Sequence, residues 1–395
     1  MATTEKLDAA RFLNERVGKI PASGIRRFFD MISGMEGVIS LGVGEPDFTT
    51  PEPLREAAVA SIRAGRTSYT SNYGTPELRD ALAEHLQRLY SVEYDPRTEM
   101  LITVGVSEAL DITCRAVLAP GDEMIVPDPS YVAYAPAVVL TGAMPVFVPT
   151  SVETQFAPTA EEIERHVTPA TKAILLGYPN NPTGAVLPRE ELVKIAQLAE
   201  RHDLLVVADE IYDRLVYGVE HTCFASLPGM RERTVLLGGF SKDYAMTGWR
   251  VGYACAPAPL LEAMMKIHQY VIMCAPTAAQ AAALEALRSG EPYVLEMLAE
   301  YDRRRRTIVD GLNQIGLPTF EPHGAFYAFP DVRPTGLTSE QFVEDLLREE
   351  KVVTVPGGVF GASGDGYARL CYANSTENIE EALERIHRFV RARTG

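Results

Sequence analysis

Paired cysteines, long apolar runs and basic charge are what this chain has least of. Its five cysteines (Cys114, Cys223, Cys255, Cys274 and Cys371) are odd in number and widely scattered, without disulfide or metal-ligand spacing. They read as small buried residues in a reducing compartment. No stretch approaches the length of a membrane span, and the charged N-terminus lacks the apolar core of a secretion signal. Lys and Arg number 37 against 53 Asp and Glu, a net charge of −16 that repels polyanions. Nucleic acid and membranes are therefore not expected partners. The chain also has no G-x-G-x-x-G after a strand, no Walker loop, no H-E-x-x-H helix for a metal, no internal repeat and no low-complexity segment. What remains is a cytoplasmic globular enzyme whose 395 residues, 46% of them apolar, suffice for two domains.

From Leu101 onward, short apolar runs alternate with amphipathic stretches. Strands are expected over residues 101–104, 123–126, 144–148, 173–176, 204–208, 235–237 and 251–255, with helices at 107–118, 189–201 and in the early part of 260–271. That alternation predicts an α/β fold, with a mostly parallel seven-stranded sheet flanked by helices on both faces. Ligands of such sheets gather at the carboxyl ends of the strands. Beyond Pro276 come two long helical patterns, the second rich in Arg and suited to a partly exposed connector. A smaller α+β pattern follows, with strands at 325–329, 352–355 and 368–372 and helices at 339–348 and 377–391. We therefore expect a large domain at 49–294 and a small one made of 1–48 with 295–395.

The run 238–253, GGFSKDYAMTGWRVGY, places Lys242 just after an apolar strand, where its amine can reach a cleft and form a Schiff base. Eight residues on, Arg250 opens another apolar run, so its planar fork is expected on a neighbouring strand, suited to a phosphate. These are two of the contacts that pyridoxal phosphate requires. Asp209 ends the apolar run 204–208 and is either a helix N-cap or a site residue. Near such a cofactor it can pair with a protonated pyridine nitrogen, and Tyr212, three residues later, can reach the ring's phenolic oxygen. Asn181, in the 180–184 run NNPTG, is either part of a plain turn or a donor to that same oxygen.

Four motifs, NNPTG at 180–184, DEIY at 209–212, SKDYAMTGWRVGY at 241–253 and ARLCYANS at 368–375, occur together and in order. Jointly they resemble the fold-type-I pyridoxal-phosphate-dependent aminotransferases of class I/II, the aspartate, aromatic and alanine aminotransferase-like enzymes, over nearly the whole chain. The resemblance implies that Lys242 carries the cofactor and shuttles the proton, with its pKa depressed by cationic surroundings. Ser241, Arg250 and the amides of Gly105, Val106 and Ser107 would bind the phosphate, and Tyr131 would stack on the ring. Arg369 would clamp the substrate α-carboxylate, with Asn181 and the backbone of Gly44 beside it. Tyr69 would reach the phosphate of a neighbouring subunit, which implies a homodimer with shared active sites. Residues 20–28 resemble a mobile strip over the substrate.

The resemblance thus implies transfer of the α-amino group of an L-amino acid to a 2-oxo acid, 2-oxoglutarate, by a ping-pong Schiff-base mechanism. The resemblance places a Lys at the position of Ser107 in relatives acting on aspartate, so a neutral, aromatic or broad amino donor fits this chain at least as well. A β-eliminating C–S lyase on the same fold is the alternative, disfavoured because Ala185-Val186-Leu187 follows the Asn-Pro motif instead of a bulky aromatic. A DNA-binding regulator built on this fold would need a basic extra domain, against the charge of −16.

Overall fold

Runs of Val, Ile and Leu become strands here because a sheet covered on both faces rewards apolar side chains along its whole length. The computed structural model describes residues 8–21, 24 and 35–394. The short strand β1 (Ile39–Ser40) belongs to a minor sheet. The seven that follow build the central one: β2 (Met100–Thr103), β3 (Glu123–Asp128), β4 (Met144–Pro149), β5 (Thr171–Gly177), β6 (Leu205–Asp209), β7 (Thr234–Gly239) and β8 (Gly252–Cys255). Their order is β2-β8-β7-β6-β5-β3-β4, and only β8 runs against its neighbours. The expected mostly parallel sheet of seven strands is therefore present. Its edge strand β4 exposes Met144 and Phe147 and carries Pro145 and Pro149, which blunt the edge against further pairing.

Helices cover the sheet through regularly spaced apolar residues. In the helix Pro76–Tyr90, Pro76 occupies the first turn, Leu78, Leu82 and Leu86 are buried at four-residue spacing, and Ser91 closes the helix in a left-handed conformation. Truncating one of these leucines to Ala should cost about 2–5 kcal/mol. Four cysteines are buried, Cys274 is partly so, and all five are free. No described helix is long and apolar enough to cross a membrane.

A second core gathers Ile39, Leu41, Tyr212, Leu215, Tyr217 and Ala245 with side chains from residues 297–390. Here β9 (Tyr327–Ala328), β11 (Val355–Pro356) and β12 (Ala368–Cys371) form an antiparallel sheet, while β10 (Val352–Val353) pairs in parallel with β1. Two expectations need correction. The strand anticipated over 325–329 shrinks to β9 because Ala325 takes a φ of 55°, which bends the chain out of extended geometry. The strand anticipated over 352–355 divides at Thr354, sending β10 and β11 to different sheets. The helix Glu291–Ile315 joins both cores, with Val294 in the first and Tyr301, Ile308 and Leu312 in the second. Its arginines are not all exposed: Arg304 is buried against Asp47 at 2.8 Å and Glu300 at 2.7 Å. Of the strip expected at 20–28, only Ile20, Pro21 and Gly24 fall within the described residues.

Candidate active site

The carboxyl ends of β5, β6 and β7 and the start of β8 face one cavity of about 440 Å³. Asp209 is the last residue of β6, Lys242 lies three residues past β7, and Asn181 follows the turn after β5. That turn is organised by Asn180, whose Oδ1 accepts from Thr183 N at 3.3 Å and Thr183 Oγ1 at 3.0 Å, leaving Asn181 to face the cavity. Arg369 reaches the same space from β12. Also lining it are Gly44, Val106, Ser107, Tyr131, Tyr212, Ser241 and Arg250. Gly105 stands immediately behind, and Tyr69 lies outside the cavity on an exposed loop.

Arg250 is not on a strand as anticipated. It precedes β8 in a left-handed conformation, φ 53°, and its Nη1 donates to the Thr247 carbonyl at 2.8 Å. The turn folds its guanidinium onto Gly105, where an added Cβ would lie 2.7 Å from Nη2. Gly105, with φ +69°, begins the helix Gly105–Val117, and the N-cap residue Val104 offers no side-chain acceptor to the first-turn N–H groups. First-turn N–H groups and a guanidinium thus converge without an anionic partner among the described residues, an arrangement suited to a phosphate.

Lys242 Nζ donates to the Gly44 carbonyl at 2.7 Å. Burial lowers its pKa to about 8, and Arg369 and Arg250 add smaller contributions in the same direction. Desolvation rather than cationic surroundings is therefore the main cause, a correction to the expectation. Asp209 is raised to about 6 by its own burial, opposed by a hydrogen bond from Tyr134 Oη to Oδ2 at 2.9 Å. Arg369, 2% exposed, donates to Asn181 Oδ1 at 2.8 Å and the Gly42 carbonyl at 2.6 Å. Its guanidinium stacks over Tyr327 and Phe360, and its buried Nε has no partner.

Among the cavity residues not singled out from the sequence, Tyr134 and Tyr327 make contacts with the candidate site residues. Tyr134 reaches Asp209 across β5, where Gly177 is needed because any Cβ there would collide with the tyrosine hydroxyl. Nothing in the sequence around it records that reach. Tyr327 Oη lies 2.7 Å from Tyr212 Oη and blocks any side chain at Gly44. Nothing local in the sequence marks it.

The fold and cavity define an α/β enzyme whose cavity is lined by a buried, pKa-lowered lysine, a buried carboxylate and an anion cradle. The family model for aminotransferase class I and II matches residues 36–386, and the chain belongs to that family. The YugH protein of Bacillus subtilis (strain 168) is 52% identical over 383 residues, 97% of this chain and 99% of that protein. The aspartate aminotransferase of Pyrococcus abyssi is 45% identical over 96% of this chain and 98% of its own length. The solved structure of an aromatic aminotransferase from Pyrococcus horikoshii superposes with a TM-score of 0.89 at 44% identity, covering 93% of this chain and 99% of that one. The chain is accordingly an amino-acid transaminase, and the lyase alternative is not favoured.

Proposed function

We propose that this transaminase uses pyridoxal 5′-phosphate to move the α-amino group of a neutral or aromatic L-amino acid to 2-oxoglutarate, as a cytoplasmic homodimer. The observation that carries the reading is the shared cavity of Lys242, Asp209 and the Arg250–Gly105 cradle. The residues present fit the cofactor: the helix start at Gly105 and Arg250 for its phosphate, a buried carboxylate for its ring nitrogen, and a buried amine for its aldehyde. When bound, pyridoxal phosphate supplies an aldehyde that condenses with amines and a ring that accepts electrons from the substrate Cα.

The protein supplies positions and protons. Ser241, Arg250 and the amides of Gly105, Val106 and Ser107 hold the phosphate, with Tyr69 of a second copy completing the shell. Tyr131 covers the ring face, Asp209 keeps the ring nitrogen protonated, and Tyr212 and Asn181 orient the phenolic oxygen. Arg369 grips the substrate carboxylate, beside Asn181 and the Gly44 backbone. Lys242 Nζ would take up the proton released at the substrate Cα and hold it for its return. A value of about 8 leaves a useful neutral fraction near physiological pH. Ser107 places no cation where a side-chain carboxylate would need one, which supports a neutral or aromatic donor. Residues 49–294 would form the cofactor domain, and 1–48 with 295–395 the smaller one.

A half-reaction screen tests this. Single amino acids are added to the cofactor-loaded protein without any oxo acid, and the cofactor absorbance is followed. Loss of that absorbance with 2-oxo acid released one-for-one supports the proposal and ranks the donors. Pyruvate and ammonia accumulating over many turnovers would overturn it.

A further inference from the structure

The helix start that makes the anion cradle is held from behind by two residues that do not touch the cavity. Glu108 divides its carboxylate: Oε2 accepts the Val104 N–H at 2.5 Å, and Oε1 meets His268 Nδ1 at 2.7 Å. His268 is fully buried, and its Nε2 has no partner. Because its partner is a carboxylate oxygen, Nδ1 is the donor in this pair, and Nε2 is left dry. Leaving a buried polar atom unpaired costs stability. Retaining the imidazole there fits a geometric requirement better than a packing one.

The pair also leads outward. The His268 carbonyl accepts N–H groups of Ile272 at 2.9 Å and Met273 at 3.1 Å, closing the helix Ala258–Val271 into a turn where Met273 has φ 73°. The Met273 carbonyl accepts Asn72 Nδ2 at 2.9 Å, and Thr277 Oγ1 donates to the Ser68 carbonyl at 2.9 Å. Between those two anchors stands Tyr69, 78% exposed.

We infer that Glu108 and His268 are positioning residues that brace the cradle for a phosphate monoester and tie its occupancy to the order of the turn at residues 268–273. This rests on the phosphate-binding role proposed above for that cradle. Two measurements test it on the full chain. In the first, hydrogen exchange is followed in cofactor-free wild-type protein on adding pyridoxal phosphate. Slowing over 104–108 together with 268–273 is expected; protection confined to 104–108 overturns the inference. In the second, Glu108→Gln and His268→Asn are titrated with pyridoxal phosphate through the fluorescence of Trp249, the sole tryptophan, which adjoins Arg250. Each should bind about tenfold more weakly, the scale of one hydrogen bond to a charged group, and should lose the protection at 268–273. Wild-type affinity in both variants would overturn the brace while leaving the cofactor reading intact. Failure of the wild type itself to bind would instead overturn the cofactor reading. Should a variant not fold, the wild-type exchange pattern still decides.

Discussion

Removing one hydroxyl should shift the pH at which the site accepts its cofactor. Tyr134 Oη donates to Asp209 Oδ2 at 2.9 Å from a ring that is 4% exposed. Burial holds Asp209 at about 6, and the tyrosine's donation works against that rise by favouring the ionised form. A hydrogen bond to a charged group contributes about 1.5–3 kcal/mol, and one pKa unit corresponds to about 1.4 kcal/mol. Tyr134→Phe should therefore move Asp209 up by about one to two units, to about 7–8. Only the ionised carboxylate can pair with a protonated ring nitrogen. At pH 7 about nine-tenths of Asp209 is ionised in the wild type, against about a tenth to a half in the variant. Binding should then be about two- to tenfold weaker at pH 7 and nearly equal at pH 9. The assay titrates cofactor-free protein with pyridoxal phosphate from pH 5.5 to 9, following Trp249 fluorescence; ionisations of the cofactor itself cancel in the comparison. An identical inflection in both proteins, or an affinity ratio that ignores pH, would refute the reasoning.

Lys242→Ala should abolish steady-state turnover, because both the amine tether and the proton carrier vanish; near-normal turnover in a coupled assay would sink the assignment. Arg369→Ala should raise the KM for amino and oxo acids about tenfold to a hundredfold while the cofactor stays bound, and loss of cofactor on gel filtration would move Arg369 to the phosphate end. Asp243, next to Lys242, is 4% exposed and pushed well above the usual carboxylate range by burial and by the Asp213 carboxylate. Its folded value is raised, so its contribution is complete below the unfolded value, near 4, and lost as pH climbs through the folded one. Asp243→Asn, which mimics the protonated acid, should therefore gain Tm over the wild type progressively from pH 5 to 8.5, and a constant difference across that range would contradict the sign.

The central sheet was legible because six of its seven apolar runs are followed at once by Gly, Pro or Asp, and Asp209, Asn181 and Lys242 sit at or just beyond such ends. Arg369 and Arg250 were legible as motif members, although the left-handed turn that aims Arg250 at Gly105 was not. Tyr134 and Tyr327 were missed for a physical reason: their partners lie 75 and 115 residues away, so no local pattern records the contact. The φ of Ala325 and the division at Thr354 are likewise tertiary decisions, taken where strands change sheets. The source of the low Lys242 value was misread because neighbouring cations can be counted in a motif, whereas burial cannot.

Strand β8 has a mechanical consequence. Because it runs opposite to β7, with Gly252 paired to Gly239, the whole segment between them is a closed loop rooted in two adjacent rungs of one sheet. Lys242 and Arg250 both ride on that loop, whereas Arg369 is carried by β12 in the other core. Any hinge between the two cores would leave the spacing of amine and anion cradle unchanged and alter only the reach to the substrate carboxylate. The cofactor end would behave as an anvil and the substrate end as the moving jaw.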